Sequence, residues 1–303
     1  MARIFIDGDS GTTGLEIRER LAGRAGVEIV SLAPEHRKDP QAKRELLASV
    51  DLAILCLPDD AAREVAALCD ALGGKAPRLL DASTAHRVQP GWVYGFAELA
   101  ADQPQKIALA RRVANVGCYA TGCIALLRPL VDADLIGRDS SLTINAVSGY
   151  SGGGRKMIEA YEAGAAPPFE LYALGLEHKH LPEIVAHSGL TRAPLFVPSV
   201  GNFRQGMLVS IPLWLDMLPG RPKAAELEAA LARHYAGAKH VRLRPAPHGD
   251  RLDATALNGS DDMELFVFAN ETKRQAALVA RLDNLGKGAS GAAVQNLELM
   301  LGS

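Results

Sequence analysis

Short, continuous apolar runs alternate with amphipathic stretches through the first third of the chain. The runs predict strands at Arg3–Asp7, Val27–Leu32, Asp51–Leu57, Arg78–Asp81 and Arg112–Asn115. Strands apolar on both faces suit a parallel sheet covered on each side. Between them, helical spacing of apolar positions marks Thr12–Ala22, Pro40–Ser49 and Asp59–Leu72. Asp59 and Asp60 after Pro58 form a helix start. The β-α-β order predicts a doubly wound, Rossmann-type sheet that binds a nucleotide.

The pattern changes after a helix that opens at Cys118. Strands are expected at Leu142–Val147, Leu195–Pro198, Met207–Leu213 and Val241–Leu243. Helices are expected near Arg155–Gly164 and Lys223–Tyr235. Met263–Ala269 and Gln275–Arg281 read as an antiparallel pair joined by Asn270–Arg274. This order predicts an α+β domain with a mixed, largely antiparallel sheet. A last helix, after the segment Asn284–Gly291 with its several small residues, is expected to return to the first domain. The division is therefore residues 1–117 and 285–303 for the first domain and 118–284 for the second.

Composition narrows the function classes. The 303 residues are 48% hydrophobic and 22% charged, with a net charge of -2. That supports a full core and argues against disorder. There is no global basic field to hold nucleic acid. No apolar run reaches bilayer length, and the chain enters a strand at once, leaving no room for a secretory signal. Cys56, Cys69, Cys118 and Cys123 show no metal-ligand spacing. The expectation is a reduced, cytoplasmic chain with no metal site, no membrane partner and no nucleic-acid partner.

Gly8, Gly11 and Gly14 form a G-x-x-G-x-x-G loop between the first strand and first helix. Glycine there permits a tight turn and lets a pyrophosphate reach helix N–H groups. Gly8, Ser10, Gly11, Thr12, Thr13 and Gly14 are candidate cofactor contacts; a plain strand–helix turn is the alternative. An NAD site places an acid at the end of the second strand. Here Glu35 lies past that end, beside Arg37 and Lys38, two cations suited to a 2′-phosphate. NADP is the expected cofactor. Ser83 and Thr84, after the fourth strand, are further candidates, as are Gly286, Lys287 and Gly288.

Cys118 follows a strand and opens a helix, where unpaired N–H groups and the helix dipole favour the thiolate. Such placement lowers a cysteine pKa from roughly 8.5. The alternative is a small buried apolar cysteine. Gly117 and Gly122 on either side leave space for a reactant to approach the sulfur. His178 and His180 stand two apart, and a histidine is the usual acid/base partner of thiol or acyl chemistry. Ser148 and Gly149 begin a glycine-rich loop through Gly154 whose N–H groups suit an anion nest or a hinge. Arg87 is positioned for a phosphate or for an ion pair. Asn115 is a candidate oxyanion donor, and Arg204 a candidate grip for a substrate carboxylate.

Three segments carry a resemblance: Gly117-Cys118-Tyr119, His178-x-His180-x-Pro182-Glu183, and Gly288 through Asn296. Together with the Gly8 loop they make the chain similar, over nearly its whole length, to the short form of the N-acetyl-γ-glutamyl-phosphate reductase family. That family is related to aspartate-semialdehyde and glyceraldehyde-3-phosphate dehydrogenases. The resemblance implies an NADP-binding domain joined to a catalytic and oligomerisation domain, as a homodimer or homotetramer. It implies reduction of N-acetyl-γ-glutamyl phosphate to the semialdehyde with release of phosphate, in arginine biosynthesis. Cys118 would be the nucleophile that forms a thioester, His180 the acid/base, and His178 the histidine nearer the substrate. Val116 and Ala120 stand where the family shows proline, which relaxes the backbone beside the nucleophile. Reduction of an aspartyl or N-acetyl-aminoadipyl phosphate, or NADP sensing without turnover, are the competing readings.

Overall fold

The computed structural model describes residues 1–36, 39–247 and 250–302. The chain divides into two compact units. The first comprises Met1–Ala97, Asp102–Val116 and Ala289–Ser303; the second comprises Glu98–Ala101 and Gly117–Gly288.

The first unit contains β1 (Ala2–Asp7), α1 (Thr12–Leu21), β2 (Val27–Val30), α2 (Pro40–Leu47), β3 (Leu52–Leu55), α3 (Asp59–Leu72), β4 (Arg78–Asp81), β5 (Val93–Tyr94), α4 (Gln103–Leu109) and β6 (Arg112–Ala114). Its six strands are all parallel, in the order β2-β1-β3-β4-β6-β5. Burial on both faces explains the continuous apolar runs. Ile4 and Ile6 face α1 and the last helix, with Ile17, Leu21 and Leu297, while Phe5 points to the opposite layer with Leu47 and Val65. Asp39 caps α2 by accepting the N–H groups of Gln41 and Ala42, and Pro40 occupies a position that needs no donor. The chain leaves β1 for β2 on one side and reaches β3 on the other. The crevice at the carboxyl ends of β1 and β3 is therefore the switch point where such sheets take ligands.

The second unit contains α5 (Cys118–Asp132), β7 (Thr143–Gly149), α6 (Arg155–Glu162), β8 (Phe169–Leu171), α7 (Leu181–Ser188), β9 (Leu195–Gly201), β10 (Met207–Trp214), α8 (Ala224–His234), β11 (Val241–Leu243), β12 (Met263–Asn270) and β13 (Gln275–Leu282). Its seven strands run β11-β12-β13-β10-β7-β9-β8. Only β11/β12 and β7/β9 are parallel. Helix α5 packs on β10 and β13 between α7 and α8, which is why it is apolar all round. Strand β10 alternates accordingly: Met207, Val209, Ile211 and Leu213 are buried under the helices, and Trp214 is exposed on the other face. That other face opens into cavities of about 620 and 680 Å³, lined by Val147, Leu208, Phe268 and Trp214 among others.

After β13 a π-helical turn, Gly286–Ser290, leads to α9 (Gly291–Leu301). Helix α9 packs against α1, α4 and β4 in the first unit, as the small residues of its start permit. Strands β5 and β8 and helices α4 and α7 were not separable in the sequence, being short segments stabilised by their neighbours. Among the described residues, no helix is long and apolar enough to cross a membrane.

Candidate active site

Cys118 is the first residue of α5, and Gly117 caps it with extended backbone (φ -92°, ψ 141°). The Thr121 N–H makes the first helical bond, to the Gly117 carbonyl at 2.9 Å. The N–H groups of the turn before it have no carbonyl within the helix, so an anion at the sulfur is favoured there. Cys118 is half-buried, whereas Cys69 and Cys123 are fully buried. Burial pushes the Cys69 thiol up to about 11 and the Cys56 thiol up to about 12, the latter helped by Asp81, Asp7 and Asp9.

Of the two glycines expected to clear space at the sulfur, Gly122 serves packing instead. A Cβ on Gly122 would lie 2.8 Å from Val209, so Gly122 lets α5 settle on β10. A Cβ on Gly288 would lie 2.9 Å from the Cys118 Cβ. Gly288, expected at the cofactor, lies against Cys118.

His178 and His180 lie together, ring centroids 4.7 Å apart, among Tyr119, Tyr172 and Phe196. Burial, aided by the Lys179 charge, pushes the His178 pKa down to about 4. Its Nδ1 accepts the His180 N–H at 3.1 Å, which assigns the proton of the neutral ring to Nε2, 3.3 Å from the Tyr172 hydroxyl. His180 caps α7, and its Nε2 lies 3.9 Å from Glu183 Oε1. The other carboxylate oxygen of Glu183 accepts the Gly117 N–H at 3.2 Å. Glu183, buried in the first turn of α7, thus ties the residue before Cys118 to the second histidine. The sequence showed Glu183 only as part of a motif, because its backbone partner is 66 positions away.

Several expected substrate contacts are engaged elsewhere. The N–H groups of Gly149, Tyr150 and Ser151 bond to the carbonyls of Gly206, Phe203 and Arg204 at 2.9 to 3.0 Å, so this loop is pinned and those donors form no anion nest. The Ser148 hydroxyl donates to the Gly149 carbonyl. Gly149 is required because a Cβ would meet the Arg204 backbone at 2.6 Å. Arg204 itself forms an exposed ion pair with Glu162 at 2.9 Å. Arg87 is buried and donates to the carbonyls of Asn115, Ala82 and Val116. The Asn115 side chain bridges the Ala289 carbonyl and the Asn296 amide. Both residues hold the backbone that precedes Gly117.

The Gly8–Gly14 loop sits at the switch point of the first unit. Gly8 has φ +90°, and a Cβ there would lie 2.2 Å from the Cys56 carbonyl oxygen. A Cβ on Gly14 would lie 2.3 Å from the Gly8 carbonyl oxygen. The Gly11 N–H closes the turn on the same oxygen at 3.1 Å, and Thr12 and Thr13 begin α1. Beside Gly8 and Ser10 a cavity of about 230 Å³ opens at the ends of β1 and β2. A loop that needs glycine at positions 8 and 14, a helix N-terminus behind it and this cavity suit the diphosphate and adenosine half of a dinucleotide.

Four other cofactor candidates have structural partners, and two are outside the described residues. Ser83 donates to Asp81 at 2.7 Å, and Thr84 donates to Asp59. Asp81 also takes His86 Nδ1 at 2.6 Å, and that ring stacks on Trp92. A Cβ on Gly286 would meet the Ser260 carbonyl at 2.0 Å. Lys287 is buried, with Nζ 2.6 Å from Glu98 Oε2. Arg37 and Lys38 lie outside the described residues.

Comparison with known proteins identifies the class. The semialdehyde dehydrogenase, dimerisation domain profile matches residues 118–284. A probable aspartate-semialdehyde dehydrogenase from Pseudomonas aeruginosa shares the fold at a TM-score of 0.71 and 17% identity, over 99% of this chain and 98% of that one. So does the Candida albicans aspartate semialdehyde dehydrogenase solved with NADP, at 0.69 and 13%, over 99% of both chains. The chain is a two-unit protein of the semialdehyde dehydrogenase class.

Full-length relatives are more specific. N-acetyl-gamma-glutamyl-phosphate reductase 2 of Pseudomonas putida is 53% identical over 306 residues, spanning 99% of this chain and 97% of its own. The N-acetyl-gamma-glutamyl-phosphate reductase of Brucella ovis is 51% identical over 308 residues, spanning 99% of both. The protein belongs to the N-acetyl-γ-glutamyl-phosphate reductase family.

Proposed function

We propose that this protein reduces N-acetyl-γ-glutamyl phosphate to N-acetylglutamate 5-semialdehyde with NADPH, releasing phosphate, as a cytoplasmic enzyme of arginine biosynthesis. One observation carries the chemistry: Cys118 begins α5 while Glu183 accepts the Gly117 N–H and faces His180. The Cys118 sulfur attacks the acyl carbon, the carbon–oxygen bond to phosphate breaks, and a thioester forms on the chain. The N–H groups of the first turn of α5 stabilise the oxyanion during attack. Once the thioester carbon is reduced, its bond to sulfur breaks, releasing the aldehyde and restoring the Cys118 thiolate, while His180, next to Glu183, moves the proton at the substrate-derived oxygen. His178, neutral at pH 7, orients the substrate through its Nε2 proton, together with Tyr172. The dinucleotide, when bound, supplies the hydride. Gly8, Ser10, Gly11, Thr12, Thr13 and Gly14 hold its diphosphate.

The first unit is then the cofactor domain, and the second the catalytic and oligomerisation domain. The exposed apolar face of its sheet, including Trp214, supports a homodimer built face to face.

Cys118→Ser tests the reading. Turnover should be abolished while NADPH still quenches intrinsic fluorescence. Near-normal turnover would remove the covalent scheme. Phosphate-dependent oxidation of N-acetylglutamate semialdehyde should exceed that of aspartate semialdehyde, and the reverse preference would reassign the substrate.

A further inference from the structure

We infer that Arg18, Ser31 and Lys43 read the 2′-phosphate that distinguishes NADP from NAD, an inference that rests on NADP being the cofactor. The cavity at the ends of β1 and β2 is lined by Asp7, Gly8, Asp9, Ser10, Ser31 and Lys43, among others. Ser31 follows β2 directly, at the place where an NAD site carries the acid for its ribose hydroxyls. A hydroxyl there donates to a phosphate that a carboxylate would repel. Glu35 lies further on, exposed in the short turn Pro34–His36.

Two cations converge on this position from different helices. Arg18, on α1, donates Nη1 to Ser31 Oγ at 3.1 Å and to Asp9 at 2.9 Å. Its side chain is 45% exposed, so the rest of its planar fork is available to an anion. Lys43, on α2, places Nζ 2.7 Å from Asp7 Oδ2. Without these cations, Asp7 and Asp9 would leave the cavity mouth anionic. With both, two positive charges offset two negative ones, and a phosphate meets charged donors. A 2′-phosphate adds about -2 charge to the ligand, whereas a 2′-hydroxyl adds none. Losing either cation must therefore weaken the phosphorylated ligand selectively.

The test is calorimetric titration of the full chain with 2′,5′-ADP and with 5′-ADP. The wild type should bind 2′,5′-ADP at least about tenfold more tightly. Arg18→Met and Lys43→Met should each lose on the order of tenfold or more for 2′,5′-ADP and under about twofold for 5′-ADP. Lys43→Arg should keep most of the preference, which separates charge from folding. Equal losses for both nucleotides, or no loss for either, would overturn the assignment. A wild type with no preference would overturn it earlier, by removing the NADP reading beneath it.

Discussion

Lys287→Met tests a deeply buried cation assigned to the second unit. Lys287 is 1% exposed, its ammonium lies 2.6 Å from Glu98, and the Glu98 side chain is itself only 7% exposed. Burial pushes the Lys287 pKa below its ordinary value, and Glu98, Asp261 and Asp262 pull it back. Methionine matches the stem but leaves the Glu98 carboxylate buried without its cation. Removing one member of such a pair costs about 3–5 kcal/mol. For a unit of this size each kcal/mol lowers the melting temperature by about 2–4 °C, giving a fall of about 6–20 °C. Urea unfolding followed by circular dichroism, with calorimetry beside it, measures both quantities. The double variant Lys287→Met with Glu98→Gln should regain most of the loss, since a neutral pair has no uncompensated charge. A single variant costing under about 1 kcal/mol would refute the reasoning, as would a double variant no more stable than the single.

Gly288→Ala places a methyl 2.9 Å from the Cys118 Cβ; kcat and the rate of Cys118 alkylation should both fall by about tenfold or more, since small misplacements at a reacting atom are costly, and unchanged values would place Gly288 outside the site. His178 is held neutral, with a folded-state pKa of about 4 against an ordinary 6.5. The stability it contributes is full above pH 6.5 and is lost as pH falls towards 4; urea midpoints across that range should slope in wild type and flatten in His178→Phe. Trp214→Glu, at a residue 62% exposed, should shift sedimentation towards a monomer with the fold intact; an unchanged sedimentation coefficient would place the interface elsewhere.

Much of the architecture was legible because it is local. The runs at β1, β3 and β4 are apolar on both faces, and Gly8 and Gly14 must be glycine to clear carbonyls only a few ångströms away. The site was legible in part. Cys118 and the two histidines are candidates by type and placement. Glu183 does not, because its meaning comes from a backbone donor on another helix. Arg87 and Asn115 show the opposite case. Polar side chains next to a nucleophile read as ligand contacts, yet here they satisfy buried backbone carbonyls. The loop from Gly149 looked free in one dimension and is stitched to residues 203–206 in three.

The Gly288–Cys118 contact also bears on biosynthesis. The ribosome delivers the sulfur well before the glycine that backs it, and α9, needed by the first unit's core, arrives later still. A nascent or truncated chain that stops short of these segments exposes a thiol without its finished setting. Competence is thus withheld until the segments through α9 have been made, and shorter products should scavenge neither acyl phosphate nor dinucleotide.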